Sequence, residues 1–143
     1  MPVSFVSLVL YKNYYHFLFV YCRSVCGPIG VEDRNKILDD RMAASTYASK
    51  HHYPYYGRLN GNRAYGWCTK TTTDKTDYLQ VDMGALHSVC AVGTQGQIVS
   101  SNRITSYKVH LSTDGVTWES YKENNVEKVT NIISSCLEVA VLR

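Results

Sequence analysis

Tyr78-Leu79-Gln80-Val81-Asp82-Met83 alternates at every step, with Leu79, Val81 and Met83 on one side and Gln80 and Asp82 on the other. Successive residues of an extended chain project to opposite faces, so this period of two predicts a β-strand buried on one face, with Gly84 at its end. Residues 106–111 repeat the pattern, setting Tyr107, Val109 and Leu111 against Ser106, Lys108 and His110. Asp114-Gly115 then supplies a hairpin turn, because this pair tolerates the positive φ that a tight reversal needs, and Val116-Thr117-Trp118 is read as the returning strand. Upstream, Gly57-Arg58-Leu59-Asn60-Gly61-Asn62 is a turn for the same reason. The stretch from Tyr55 to Trp118 is therefore the middle of one antiparallel β domain.

Composition bounds the answer from outside. A chain of 143 residues is one domain's worth and can bury a modest single core. Hydrophobic residues at 45% and charged ones at 19% exclude a disordered chain and a membrane-spanning one. The net charge of +3 is scattered, with no Lys/Arg cluster, finger spacing or helix-turn-helix pattern, which argues against nucleic acid as a partner. There is no Gly-x-Ser-x-Gly elbow, no His-Glu-x-x-His and no phosphate-binding glycine loop. Asp39-Asp40 reads more simply as a charged turn than as a catalytic pair, so a hydrolytic enzyme is the weaker class.

The segments YPYYGRLNG (53–61), GWC (66–68), DYLQVDMGALHSVCAVGTQGQ (77–97) and ITSYKVHLSTDGVTWESYKENNVEKV (104–129) follow one another in a specific order. Together they resemble the core of the coagulation factor V/VIII type C domain, also called the discoidin domain. The resemblance covers about residues 26–129, Cys26-Gly27-Pro28-Ile29-Gly30 being similar to the family's opening. It implies an all-β fold, a discoidin-like jelly-roll β-sandwich. It also implies an extracellular or cell-surface, non-catalytic binding module that uses loop tips at one end of the sandwich. The ligand classes it implies are acidic phospholipid, glycan, and receptor or matrix protein. After Val129 the likeness runs out, although a complete domain of the family continues for several strands and finishes at a cysteine. The sandwich is thus expected to be incomplete at the C-terminus, with 130–143 a divergent tail in which Leu137, Val139 and Val141 alternate as one substitute strand. The alternative is a truncated fragment without binding activity of its own, its sheet edges open to other chains.

Residues 1–25 have a different character, holding all three Phe (Phe5, Phe17, Phe19) and no acidic residue. They are read as an extension outside the β domain or as a signal peptide cut after Ser24, with Cys22 and Ser24 as the small residues at its specificity positions. Lys12 and Asn13 split the apolar runs 6–11 and 17–21, and neither reaches the roughly 18 residues of a membrane span. No transmembrane helix is expected.

The candidate ligand-binding residues fall on two loops. Residues 49–56 are aromatic, yet Pro54 blocks a central strand, so they read as a loop with exposed rings. The resemblance makes this loop a projecting spike carrying His51, His52, Tyr53 and Tyr55. It makes 97–102 a second spike, where Gln97 leads to an apolar tip at Ile98 and Val99, with Arg103 close behind. An aliphatic tip beside a cation suits insertion into anionic lipid, whereas the alternative has Ile98 and Val99 extending the strand core. The apolar pair favours lipid, the aromatic loop favours sugar, and both loops are expected at one pole of the sandwich.

Other residues are open to more than one reading. Arg58 either meets an anionic head group or, as its planar fork favours, satisfies carbonyls or a carboxylate inside the domain. Trp67 and Trp118 read as core. His51-His52 has no Cys or carboxylate at zinc-ligand spacing. Asp74 and Asp77, three apart, are calcium candidates beside a solvated-turn reading, and no cofactor beyond such a structural calcium is in view. The five cysteines cannot all pair within one chain. The resemblance pairs Cys68 with Cys90, a loop closure that contributes roughly 3 kcal/mol, and leaves Cys26 free or paired with Cys136.

Overall fold

A computed structural model of the protein describes residues 2–11, 29–60, 66–71, 73–74, 76–89, 91–96, 104–134 and 137–142. These residues form ten strands: β1 Pro2–Tyr11, β2 Met42–Ala44, β3 Tyr78–Ser88, β4 Ala91–Gly96, β5 Ile104–Ser112, β6 Glu119–Ser120, β7 Lys122–Glu123, β8 Val126–Glu127, β9 Val129–Ser134 and β10 Leu137–Leu142. Helix is confined among them to two short 3-10 turns, Asp39–Arg41 and Pro54–Gly57. The chain is the all-β, discoidin-like sandwich its sequence resembles. The larger sheet runs β2-β3-β1-β5-β6, with β9 sharing the outer edge of β5 beside β6. β4 pairs with β10, and β7 with β8.

The alternation at 79–83 is observed as expected: Leu79, Val81 and Met83 are buried, and Gln80 and Asp82 half-buried. Gly84 does not end the strand, however. β3 continues to Ser88, and Gly84, at φ +74, sits where the ladder with β1 shifts register between Val3 and Phe5. A bulge needs a residue that takes left-handed backbone, and a Cβ here would also strike the Arg41 guanidinium. Glycine in this strand re-aims it rather than stopping it.

The reading that set residues 1–25 outside the β domain is corrected for residues 2–11. β1 lies between β3 and β5 and pairs antiparallel with both. Its register explains why these residues suit that place. Val6 stands between Val81 and Leu111, Leu8 between Leu79 and Val109, and Ser7 between Gln80 and His110, so apolar and polar rows each cross all three strands. Residues 12–25, including the cut after Ser24, lie outside the described residues.

The core joins Val31, Ile37, Met42, Trp67, Leu79, Val81, Met83 and Tyr107, with Val92 of β4 packed against it from the second sheet. Burying an aliphatic side chain such as Leu79 or Val81 contributes about 1.5–3 kcal/mol. Trp67 is fully buried as expected, whereas Trp118 is only half-buried. Burial raises the Tyr107 phenol above its ordinary pKa, and hydrogen bonds to Thr94 of β4 and Thr130 of β9 oppose the rise while tying the two sheets together. The tail supplies two strands rather than one: β9 pairs with β5, and β10 pairs through Leu137, Val139 and Val141 with Gly96, Thr94 and Val92.

The expected hairpin at Asp114-Gly115 forms, but the returning strand begins at Glu119 rather than Val116. Asp114 accepts bonds from the backbone N–H groups of Val116 and Thr117, each 2.8 Å, and from the Ser112 hydroxyl at 2.9 Å. These bonds, those from Thr117 and Val116 first, lower its pKa to about 2. A second reversal, Asn124-Asn125, has both residues at positive φ and joins β7 to β8 as a two-residue hairpin.

Arg58 proves internal. Its side chain is 3% exposed, donating from Nη1 to the Val31 carbonyl at 2.7 Å and from Nη2 to Asp39 Oδ1 at 2.8 Å. Replacing it by Ala leaves the buried Val31 carbonyl unpaired, and the expected loss is about 1–3 kcal/mol, the cost of an unsatisfied buried group. Lys, which lacks the fork, should not restore it. Urea midpoints check this, and a Lys variant as stable as the wild type would show that the fork is not needed.

The Asp114 turn gives a prediction with a defined pH window. Because the folded-state pKa is depressed, its stabilisation is complete above the unfolded value near 4 and is lost as pH falls through about 2. The gap in melting temperature between wild type and Asp114→Asn should therefore be present at neutral pH and close between pH 4 and 2. A gap that stays constant over that window would assign the effect to something other than the carboxylate charge.

Candidate functional site

Backbone register defines one end of the sandwich. Ala44 pairs with Leu79, Leu79 with Leu8, and Leu8 with Val109, so a single row crosses β2, β3, β1 and β5. On the same side of this row the chain leaves β2 after Ala44, enters β3 at Tyr78, leaves β1 at Tyr11 and enters β5 at Ile104. The aromatic segment that begins at Ser45 and the segment that ends before Ile104 are thus joined to the sheet at one end.

The base of the aromatic loop is held by polar groups. Asp77 is buried, and its Oδ1 accepts from the Ser45 hydroxyl at 2.5 Å and from the Thr46 hydroxyl at 2.7 Å. Ser45 Oγ accepts from the Tyr78 N–H, Thr46 Oγ1 from the Lys70 N–H, and the Thr46 carbonyl from the Trp67 indole at 2.8 Å. The chain leaving β2 is thereby fixed to the segments that precede β3. Asp74 is exposed and accepts from the N–H and hydroxyl of Thr76, which lower its pKa. The two carboxylates serve different local bonds, and among the described residues no group of three or more His, Cys, Asp or Glu could hold a metal.

Above this base the tyrosines form a contiguous surface. Tyr47 meets Tyr53 edge-on at 4.7 Å between ring centroids, Tyr53 lies 5.5 Å from Tyr55, and Tyr55 lies 4.7 Å from Tyr56. The Pro54–Gly57 turn packs these rings side by side, Pro54 supplying the φ that its first turn requires. Tyr55 reaches the core, while Tyr47 is exposed. Arg34 stands 5.6 Å over the Tyr55 ring and 3.6 Å from Asp39, the carboxylate that Arg58 also holds. A buried arginine, a shared carboxylate and a surface arginine therefore lead from the core to the loop.

His51 is exposed and His52 half-buried. His52 Nδ1 shares a hydrogen bond with Ser49 Oγ at 3.0 Å, and burial, then the neighbouring His51, lowers its pKa below the ordinary imidazole value. The neutral ring is favoured at neutral pH. Of the candidate residues on this loop, Tyr53 and Tyr55 are in ring contact, and His52 is bonded to Ser49 beside the exposed His51. Gln97, Ile98, Val99, Arg103 and Cys90 lie outside the described residues. Cys68 is disulfide-bonded. Tyr47 and Arg34 were not singled out by the sequence. Tyr47 sits in a polar run after β2, and Arg34 acquires meaning only through Asp39 and Tyr55, so no local pattern marks either.

Comparison with known proteins gives the same domain. The F5/8 type C domain pattern matches residues 41–137, eight positions beyond the end of the resemblance seen at Val129. Neuropilin-2 of Homo sapiens is 31% identical over 118 residues, covering 80% of this chain and 12% of that protein. Lactadherin of Bos taurus is 31% identical over 104 residues, covering 67% of this chain and 24% of its own length. Lactadherin of Mus musculus is 34% identical over 111 residues, covering 71% and 24%. The chain spans a quarter or less of these relatives, so the likeness concerns one domain of each. With the match extending over most of the chain, the chain belongs to the F5/8 type C domain family.

Proposed function

We propose that this chain is an extracellular, non-catalytic binding module that recognises a cell-surface or matrix ligand with the loops at the Ala44 and Ile104 end of the sandwich. One observation carries the reading: the register row through Ala44, Leu79, Leu8 and Val109 joins both candidate loops to the sheet at one end. His51, His52, Tyr53 and Tyr55 form one side of the site, and Gln97, Ile98, Val99 and Arg103 the other. The ligand is an anionic phospholipid surface, with Ile98 and Val99 entering the interface and Arg103 attracting the head groups. The tyrosine cluster favours a second reading, a glycan whose apolar sugar faces stack on the rings.

Replacing Ile98 and Val99 together by Ser should weaken liposome binding by roughly 2–5 kcal/mol, from about 1.5–3 kcal/mol per buried aliphatic side chain reduced for partial burial. Replacing Arg103 should instead flatten the salt dependence of binding to phosphatidylserine-containing liposomes. Sedimentation with and without phosphatidylserine reads both. Undiminished binding by the double Ser variant would reject insertion, and binding to immobilised glycans without liposome binding would move the site to the rings.

We further propose that the partner of Cys68 is Cys90, as the family resemblance implies; the disulfide-bonded state of Cys68 supports the reading. Peptide mapping without reduction should recover a linked pair containing Cys68 and Cys90. A link from Cys68 to any other cysteine would replace it.

A further inference from the structure

Among the described residues β3 and β5 do not pair with each other; each turns a long edge towards the position that β1 fills. Residues 2–9 pair with β3 from Ser88 back to Tyr78, and residues 5–11 pair with β5 from Ser112 back to Ser106. A strand in this position meets backbone groups on both sides, twice what a strand added to an open edge receives. The sequence of β1 suits it to the place. Phe5-Val6-Ser7-Leu8-Val9-Leu10-Tyr11 has no charge and no proline, either of which would be costly in a central strand. Its register is specified as well: a slip of one residue would set Ser7 in a row with Val81 or Leu79, which are buried.

β1 is also separated in sequence from both its neighbours: it precedes the other described elements, and β3 and β5 begin only at Tyr78 and Ile104. Backbone pairing and the matching rows therefore have to select its place, because no short turn connects it to either partner. We propose that the slot between β3 and β5 is a strand-binding site whose occupant is residues 2–11, held by ladder and register rather than by the covalent connection. The ligand class is an extended, uncharged peptide with apolar residues at alternate positions and a small polar residue between them.

The test starts from the full chain, with a specific protease site inserted between residues 12 and 25 and cut after folding. The fragment carrying residues 2–11 should stay with the body through size-exclusion chromatography and appear as a one-to-one complex in native mass spectrometry. The same cut chain carrying Ser7→Pro, which removes a ladder donor from the middle of the strand, should retain it on the order of tenfold less or worse. Departure of the wild-type fragment, with the body folded or unfolded, overturns the proposal, as does equal retention of the Ser7→Pro fragment. Hydrogen exchange in the uncut wild type provides an independent reading should the proline variant not fold. The amides of residues 6–10 should be protected as strongly as those of 79–81 and 107–111, and exchange at the rate of an unstructured peptide overturns the proposal.

Discussion

Backbone N–H and C=O groups inside a sheet have to be paired on both sides of every strand, and here that requirement falls on the position between β3 and β5. Each of those strands carries core residues: Leu79, Val81 and Met83 on β3, and Tyr107 on β5. Without an intervening strand, two rows of donors and acceptors would face each other across a gap too wide to bridge, next to the most buried side chains of the domain. β1 closes the gap, and the rest of the sheet is spaced by it. β2 is held through β3, while β6 and β9 are held through β5.

This arrangement sets the geometry of the sheet end at Ala44 and Ile104. β1 fixes β3 against β5 in one register, and so fixes how far the exit of β2 lies from the entry of β5. The polar base formed by Asp77, Ser45 and Thr46 works in the same direction, holding the first residues after β2 to the segment before β3 through hydroxyls that a carboxylate orders.

Much of the fold was legible because the deciding signals are local. The alternation at 79–83 and the Asp-Gly turn need no information from outside a short window, and the structure has them; residues 106–111 form a strand as expected, but Ser106 is buried beside Tyr107 while Val109 and Leu111 are half-buried. The ordered motifs then supplied the family. β1 was misread for the complementary reason. A run such as Val6 to Tyr11 has the same local appearance in a leader as in a strand paired on both sides, and only partners from distant parts of the chain distinguish them. Gly84 was misread similarly: a glycine after an alternating run marks a stop or a bulge, and the register with β1 decides. For the site, the tyrosine-histidine loop was legible from Pro54 and its aromatic density. Arg34 was not, because it matters through Asp39, which in turn matters through Arg58.

That last relay bears on how rigidly the aromatic loop is held. The pair between Arg34 and Asp39 is exposed and by itself contributes about 0–1 kcal/mol. An isolated pair of this kind would hold neither side chain in place. Asp39, however, is anchored from beneath by the buried Arg58, whose other branch is bonded to the Val31 carbonyl, and Val31 belongs to the core. Tyr55 is anchored independently, packing into the same core. The carboxylate that Arg34 meets and the ring it stands over are therefore each tied to one rigid body by a separate route. Asp39 and the Tyr55 ring are thus ordered during folding, whereas the Arg34 side chain stays more than half exposed. In the glycan reading proposed above, an arginine over a phenol ring next to further tyrosines would offer an apolar face with a donor at its edge, and Arg58 would order that face from beneath through Asp39.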